Sequence, residues 1–404
     1  MHRIREYSRS GGKWIMLGIL CGCLVGPVGG LFAHFLDFCA SFRGEHPWLL
    51  YLLPVGGLLV VFAYRHCAAA ATSTDAVFRA VREHRPLAFV TAPLIFLATG
   101  ISQLLGGSAG REGAALQLGG SITGSLGRRM KMQQGDLTTM TMCGMAAAFS
   151  AVFGTPVTAT IFALEVVDVG MMHYAALVPT LLAALVGGWI SQTMGVAPHF
   201  YEFEQGLNLN PLSMAQVIGL GVLLAVLSIA VCFCFHNSGK LLGKVMPNPY
   251  IRVAVGGTVI VLLTLLVGDM TYNGAGGEGI HHAIEGNARP WDFAMKILFT
   301  ALTLGAGYKG GEIVPVFFIG STFGCVVGPL LGIPAGFAAS LGMVGLFCGV
   351  TNSPLASILL AMELYDGKCL PLFCLVCVVS YMLSASWGLY HEQRILGSKL
   401  KIEA

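Results

Sequence analysis

Charge is what this sequence has least of. Only 11% of its 404 residues are Asp, Glu, Lys or Arg, against about 25% in a soluble globular domain. Hydrophobic residues make up 55%, and a water-soluble chain of this size needs far more polar surface than that leaves. Soluble enzymes are excluded, and so are nucleic-acid-binding modules, for which a net charge of +3 is also too small. There is no Walker-type phosphate loop and no zinc-ligand spacing, and no span carries a His-Glu-x-x-His helix, a Ser/His pair or a paired Asp motif. No enzymatic activity, metal or cofactor is therefore expected. No Ala-x-Ala cleavage site follows the first apolar run, Trp14–Phe35, which is too long and continuous for a cleaved signal peptide. What remains, at a mean hydropathy of +0.75, is an all-α polytopic membrane protein with little mass outside the bilayer.

Twelve cysteines do not change that picture. Cys21, Cys23, Cys143, Cys232, Cys234, Cys325, Cys348, Cys374 and Cys377 lie inside apolar runs, where a small, soft hydrophobe packs well. Cys374-Leu-Val-Cys377 has the spacing of a metal or redox pair, but it lacks a second pair or a nearby His, so it reads as packing.

Further apolar stretches cover roughly 48–64, 87–105, 114–127, 138–167, 175–196, 214–236, 252–270, 291–306, 313–333, 337–364 and 370–388. Their lengths are uneven. About 20 residues cross a bilayer as a helix, whereas shorter, Gly- and Pro-interrupted pieces belong to broken helices that line a cavity. Thr155-Pro156 and Ser353-Pro354 look like helix starts. Arg3, Arg5 and Lys13 precede the first span and place the N-terminus in the cytoplasm. Gly18, Gly22, Gly26 and Gly30 recur on one helical face, which suits close helix–helix contact in lipid.

The chain repeats itself. Gly110–Gly124 lies over Gly310–Gly324 at an offset of 200, sharing Gly, Glu, Gly, Ser and Gly at five of 15 positions. Gly154–Glu165 lies over Asn352–Glu363 at an offset of 198, sharing Pro156/Pro354, Ala163/Ala361 and Glu165/Glu363. Two matches in order at nearly one offset predict two related transmembrane repeats, 1–205 and 206–404, joined near Glu204–Pro211. Paired halves of this kind mark a transporter or channel with its site between them.

A charge at membrane depth is costly and needs a reason. Glu112 stands between Gly110-Arg111 and Gly113 at the head of an apolar run, and its repeat partner Glu312 follows Gly310-Gly311 in the same way. A Gly-rich turn opening a helix aims free N–H groups and the positive dipole end into the gap, which makes an anion site. A carboxylate there can occupy the anion position, then take a proton and leave, acting as gate and proton carrier together. The plainer reading is a first-turn Glu that only complements the helix dipole.

Gly110-Arg-Glu-Gly113 resembles the gating-glutamate motif of the CLC family of chloride channels and anion/proton antiporters. Gly310-Gly-Glu-Ile-Val-Pro315 sits where that family has its second anion-site motif, Gly-x-Phe-x-Pro, and Tyr390 matches the tyrosine whose hydroxyl meets the central anion. The likeness runs from about residue 15 to 400, with the motifs in order. It implies two inverted-topology helical repeats of tilted and broken helices, and a homodimer with one pore per subunit. The chain stops at 404, so no cytoplasmic regulatory domain is expected. The implied anion site is bounded by Gly110, Arg111 and Gly113, by Ile313 and Val314, by Tyr390, and by Phe78 and Ser73.

Departures from the chloride pattern point to a branch. The family's first anion motif, Gly-Ser-Gly-Ile-Pro, is replaced near Ala71–Phe78; Glu312 stands where chloride members have an apolar residue; and Val166 follows Glu165, so the inner proton-transfer glutamate is missing. These features are similar to the bacterial branch that exports fluoride in exchange for protons, although Val314 falls where some of that branch have Thr. The implied activity is fluoride/proton antiport, with a chloride channel or chloride/proton antiporter of the same fold as the alternative. The implied location is the inner membrane of a bacterium, with lipid, protons and fluoride or chloride as the partners. A non-transporting scaffold has no use for Gly-flanked glutamates at helix starts in both halves.

Several side chains keep two readings. Ser73, Thr74 and Asp75 suit a helix N-cap or anion ligands, and Phe78 a pore wall or plain packing. Arg111 could attract anions, but pairing with Glu165 is the preferred reading. His281 and His282, in a Gly-rich loop, read as solvated.

Overall fold

A computed structural model describes residues 2–67, 73–85, 87–397 and 399, with side chains from residue 11 onward. Ala71 and Thr72 of the replaced first motif and the side chains of Arg3 and Arg5 lie outside the described residues. In the first part of the chain the helices are α1 (His2–Glu45), α2 (Leu53–His66), α3 (Asp75–Arg82), α4 (Thr91–Leu104), α5 (Glu112–Arg129), α6 (Gln134–Phe153), α7 (Pro156–Glu165) and α8 (Leu177–Thr193). In the second they are α9 (Pro211–Val245), α10 (Pro249–Val267), α11 (Gly277–Ile284), α12 (Asp292–Ala306), α13 (Ile313–Val327), α14 (Ala335–Thr351), α15 (Pro354–Leu364) and α16 (Leu370–Leu383). The protein is all-α and polytopic.

Among the described residues, seven helical stretches are long and apolar enough to cross a membrane. Their outer faces carry Trp189, Val226, Phe233, Leu262, Leu265 and Leu266, all exposed, in a number that water does not tolerate but lipid does. The first span runs ten residues beyond its expected end at Phe35, through Asp37 to Glu45. By contrast α5 is wrapped by protein over most of its length, and so are α6, α13 and α14. These helices form the interior against which the lipid-facing ones pack.

Glycine sets how closely the interior helices approach. A Cβ on Gly18, Gly22 or Gly26 would sit within 3.0 Å of α8 atoms (Pro179 O, Val186 Cβ, Gly187 O), so the stripe expected on one face of α1 is its seam with α8. Deeper inside, α5 crosses α6 where Gly119 meets Gly144, and α13 crosses α14 where Gly320 meets Gly342.

The long apolar runs 138–167 and 337–364 are each broken in two. Gly154 (φ +79°) and Asn352 (φ +55°) end α6 and α14 in the left-handed conformation, and Pro156 and Pro354 then start α7 and α15, as the sequence suggests. At 10 and 11 residues and 1.5 Å per residue, these helices reach about halfway across a bilayer. Each N-terminus is met by the other's glutamate. Glu363 accepts from the N–H groups of Val157 (2.9 Å) and Thr158 (2.8 Å) and from Thr158 Oγ1 (2.6 Å). Glu165 accepts from the N–H groups of Leu355 (3.1 Å) and Ala356 (2.9 Å). Glu363→Ala leaves those donors unmet and should destabilise the fold by about 1–3 kcal/mol. Thermal unfolding in detergent checks this: the midpoint should fall by several degrees and recover in part with Glu363→Gln, which retains one acceptor.

Beyond α16 the chain doubles back as a strap over the interior. Leu389 N–H donates to Val350 O (2.6 Å), Gln393 Nε2 donates to Val166 O (2.8 Å) and Thr351 O (2.6 Å), and Arg394–Ile395 pairs in parallel with Asp168–Val169. Arg82 and Arg79 of α3 grip Glu392, and their hydrogen bonds hold its carboxyl below the usual carboxylate range. The strap delivers Tyr390 to the interior.

Candidate functional site

Two Gly-rich turns, 200 residues apart in sequence, meet at the centre. Gly110 N–H donates to Gly311 O (2.6 Å) and Gly311 N–H returns the bond to Gly110 O (2.8 Å). Only glycine permits this approach, since a Cβ on Gly311 would lie 2.6 Å from Gly113 N and 3.1 Å from Glu112 N. The first N–H groups of α5 therefore point across at the turn that opens α13. Both turns end in an acid, with Glu112 the first residue of α5 and Glu312 the N-cap of α13. Ile313 and Val314, which begin α13, are buried beside them.

The two acids are held differently. Glu112 is fully buried; its Oε2 accepts from Arg111 N–H at 3.2 Å, while Oε1 accepts no hydrogen bond among the described residues. Glu312 is half-buried, and its Oε2 is likewise without a hydrogen bond among the described residues. A Cβ on Gly113 would lie 3.1 Å from that oxygen, so Glu312 leans toward the first turn of α5.

A third side is closed by the strap and α3. Tyr390 is buried with its ring edge-on to Phe78 (centroids 4.6 Å apart, 87°), and its hydroxyl has no hydrogen-bond partner among the described residues. Glu312, Asp75 and Glu112 all lie within electrostatic reach of it. One small region thus gathers two carboxyl oxygens and a phenol hydroxyl, each buried and without a hydrogen bond among the described residues. Buried polar atoms are rarely left so without a reason.

Other expected residues are placed as follows. Gly110, Arg111, Gly113, Ile313, Val314, Phe78 and Tyr390 come together around the two acids, whereas Ser73 is exposed. The expected N-cap is not made by a side chain. Thr74 holds the N-cap position of α3 but has helical dihedrals and makes no cap bond; its hydroxyl turns to Gly113 O (3.5 Å) and receives Gln117 Nε2 (3.3 Å). Asp75 Oδ1 instead accepts from Glu392 N–H at 3.2 Å, tying the strap to α3. The expected Arg111–Glu165 pair does not form. Arg111 binds Asp37 (3.0 Å) and His199 (2.8 Å), with Glu112 Oε1 at 3.6 Å from its Nε, and Glu165 is engaged by the backbone of α15. His281 and His282 are exposed as expected, but on α11 rather than in a loop.

Sequence reasoning missed Gln117, Asp37 and His199. Gln117 carried a faint signal, being a buried polar residue in an apolar helix one turn beyond Glu112. Asp37 is an acid just past the expected end of the first span. His199, in the loop after α8, carried none.

Comparison with known proteins agrees with this geometry. A family model described as voltage gated chloride channel matches residues 56–385. A protein of Pseudomonas syringae pv. tomato named "Chloride/fluoride channel protein" is 34% identical over 396 residues, covering 96% of this chain and 87% of that one. Among solved structures, a CLC-type fluoride/proton antiporter superposes with a TM-score of 0.92 at 30% identity, covering 95% of this chain and 98% of the other. A slow cyanobacterial Cl⁻/H⁺ antiporter has the same fold, with a TM-score of 0.78 at 19% identity over 92% and 94% of the two chains. With its central pair of Gly-flanked acids, its broken helices and these relatives, the chain belongs to the CLC, or voltage-gated chloride channel, family of membrane anion transporters.

Proposed function

We propose that this transporter exports fluoride in exchange for protons, with Glu112 as gate and proton carrier. The observation that carries the reading is Oε1 of Glu112, buried at the meeting of two helix N-termini beside Glu312 and Tyr390, which accepts no hydrogen bond among the described residues and has the Arg111 guanidinium at 3.6 Å. A carboxylate at that point competes with an anion for the same N–H groups and dipole field. Protonation removes the competition and frees the side chain to move. Glu312 supplies a second acid in the same region, which suits an anion that is itself the conjugate base of a weak acid. The structurally similar CLC-type fluoride/proton antiporter supports the reading, and the Pseudomonas syringae relative is named for both chloride and fluoride. Chloride transport is the other reading, and the family model's own description names it. Anion efflux from proteoliposomes, run with fluoride and with chloride while pH is recorded, separates the two.

In the same reading the molecule has two inverted halves, 1–205 and 206–404, and assembles as a homodimer in a bacterial inner membrane, with the N-terminus in the cytoplasm. The turns at Gly110 and Gly310 come one from each half. Gly110, Arg111, Gly113, Ile313, Val314 and Phe78 line the anion path, and Ser73 stands at its exposed end.

Tyr390 is the hydroxyl donor. One hydrogen bond to a charged acceptor contributes about 1.5–3 kcal/mol, so Tyr390→Phe should weaken anion binding roughly tenfold or more. Titration calorimetry with fluoride measures this, and unchanged affinity would return Tyr390 to a packing role against Phe78.

A further inference from the structure

Arg111 is the cation beside Glu112, and what fixes it lies outside the two turns. Its guanidinium is 13% exposed and is held at two corners, by Asp37 Oδ1 of α1 at 3.0 Å and by His199 Nε2 at 2.8 Å. These residues, with His34 and His281, line a cavity of about 390 Å³ over Arg111. A guanidinium only donates hydrogen bonds, so a 2.8 Å contact requires a lone pair on Nε2, and therefore a neutral imidazole with its proton on Nδ1. The surroundings enforce that state. Nδ1 is buried and makes no hydrogen bond among the described residues, and the ring stacks on the Phe153 ring, where α6 ends (4.9 Å, 16°), an apolar face that disfavours a charged imidazole. Burial first, then the charges of Arg111 and His281, push the imidazole down to about 3. The charged and titratable groups facing it are Arg111 from the head of α5 and His281 from α11, with Asp37 of α1 and Glu112 reached through the guanidinium.

We infer that His199 is a positioning residue: as a hydrogen-bond acceptor it pins Arg111 so that Nε stays against Glu112, and thereby sets the pH range in which Glu112 exchanges its proton. The inference rests on the proposed role of Glu112 and adds to it a residue from a loop far away in sequence. Without the acceptor, Arg111 keeps Asp37 and turns off Glu112. A carboxylate that loses an adjacent cation takes up a proton more readily.

The test compares His199→Leu, which removes the acceptor, with His199→Gln, which keeps one, in fluoride efflux from proteoliposomes between pH 5 and 8. The midpoint of the pH–rate profile should move up by about half a unit to one unit in the leucine variant and stay near wild type in the glutamine variant. A leucine profile that overlays wild type overturns the inference. Nitrogen-15 spectra of the histidines, with His199 assigned by its loss in His199→Gln, test the contact without reference to transport. An unprotonated Nε2 that persists down to pH 5 supports the inference, and ordinary titration near pH 6.5 overturns it. A third arm places His199→Leu on Glu112→Gln. This arm is read where Glu112→Gln still passes fluoride passively: a leucine shift that vanishes there shows that His199 acts through Glu112, and one that persists unchanged overturns the inference; where flux is stopped, the nitrogen-15 result and the single-variant pH profiles decide. Wild-type pH dependence in Glu112→Gln alone sinks the reading of Glu112 as proton carrier, and the nitrogen-15 result then still decides the contact.

Discussion

Glu112→Gln should abolish uphill proton movement while leaving anion flux either stopped or passive. Glutamine has the shape of a protonated glutamate, but it neither gains nor releases a proton. If Glu112 alternates between a carboxylate that occupies the anion position and an acid that vacates it, the amide locks the second state. No step then remains that ties one proton to one anion, so the proton signal should fall to the leak of protein-free liposomes. Burial makes the effect large. Glu112 is wholly enclosed, and an ion in such surroundings is tolerated only with a partner, yet one of its oxygens has no hydrogen bond among the described residues. The measurement is proton uptake driven by an imposed fluoride gradient. A glutamine variant that still pumps protons against their gradient at wild-type stoichiometry would remove Glu112 from the cycle.

The second large effect belongs to Glu312. Fluoride is small and strongly hydrated, so a site that selects it must replace its water with close donors. An ionised carboxyl offers none, and a protonated one offers a single O–H. On the proposed reading Glu312 acts as a ligand only while it holds its proton, and fluoride, as the conjugate base of a weak acid, accepts that O–H hydrogen bond far more strongly than chloride does. A fixed negative charge at the same place would repel either anion. Losing one hydrogen bond to a charged acceptor amounts to about 1.5–3 kcal/mol, which is roughly a tenfold to hundredfold change. Glu312→Ala should thus cut fluoride efflux by at least about tenfold and narrow its lead over chloride. Equal fluoride and chloride rates in the wild type, with Glu312→Ala behaving like it, would favour chloride transport instead.

What can be read from the sequence is whatever chemistry makes expensive. Two Gly-flanked acids at the heads of apolar runs are costly enough to stand out. Pro156 and Pro354 mark the true starts of α7 and α15 because proline, lacking an N–H, is best accommodated in a helix's first turn. The glycine stripe on α1 foretells a seam, although not that α8 fills it. Partner identity is the part that stays hidden. Glu165 and Arg111 suggest a pair because both are charges in an apolar setting, but the structure satisfies Glu165 with two backbone N–H groups 190 and 191 residues away. A peptide N–H is the same at every position, so no pattern in the sequence can nominate it. His199 is invisible for a related reason, since its role depends on the end of α6 and the head of α5 converging on one loop.

The bridge between Gly110 and Gly311 bears on how such a protein can turn over. With both turns bonded to each other, parting them would break two hydrogen bonds, each contributing about 0.5–1.5 kcal/mol, and strip the shelter from two acids at once. The centre is therefore a fixed axle rather than a pair of jaws. Movement that passes an ion must come from parts that swing around it, such as a carboxyl on its rotatable bonds or the strap that carries Tyr390. A machine of that design keeps its dimensions while it cycles.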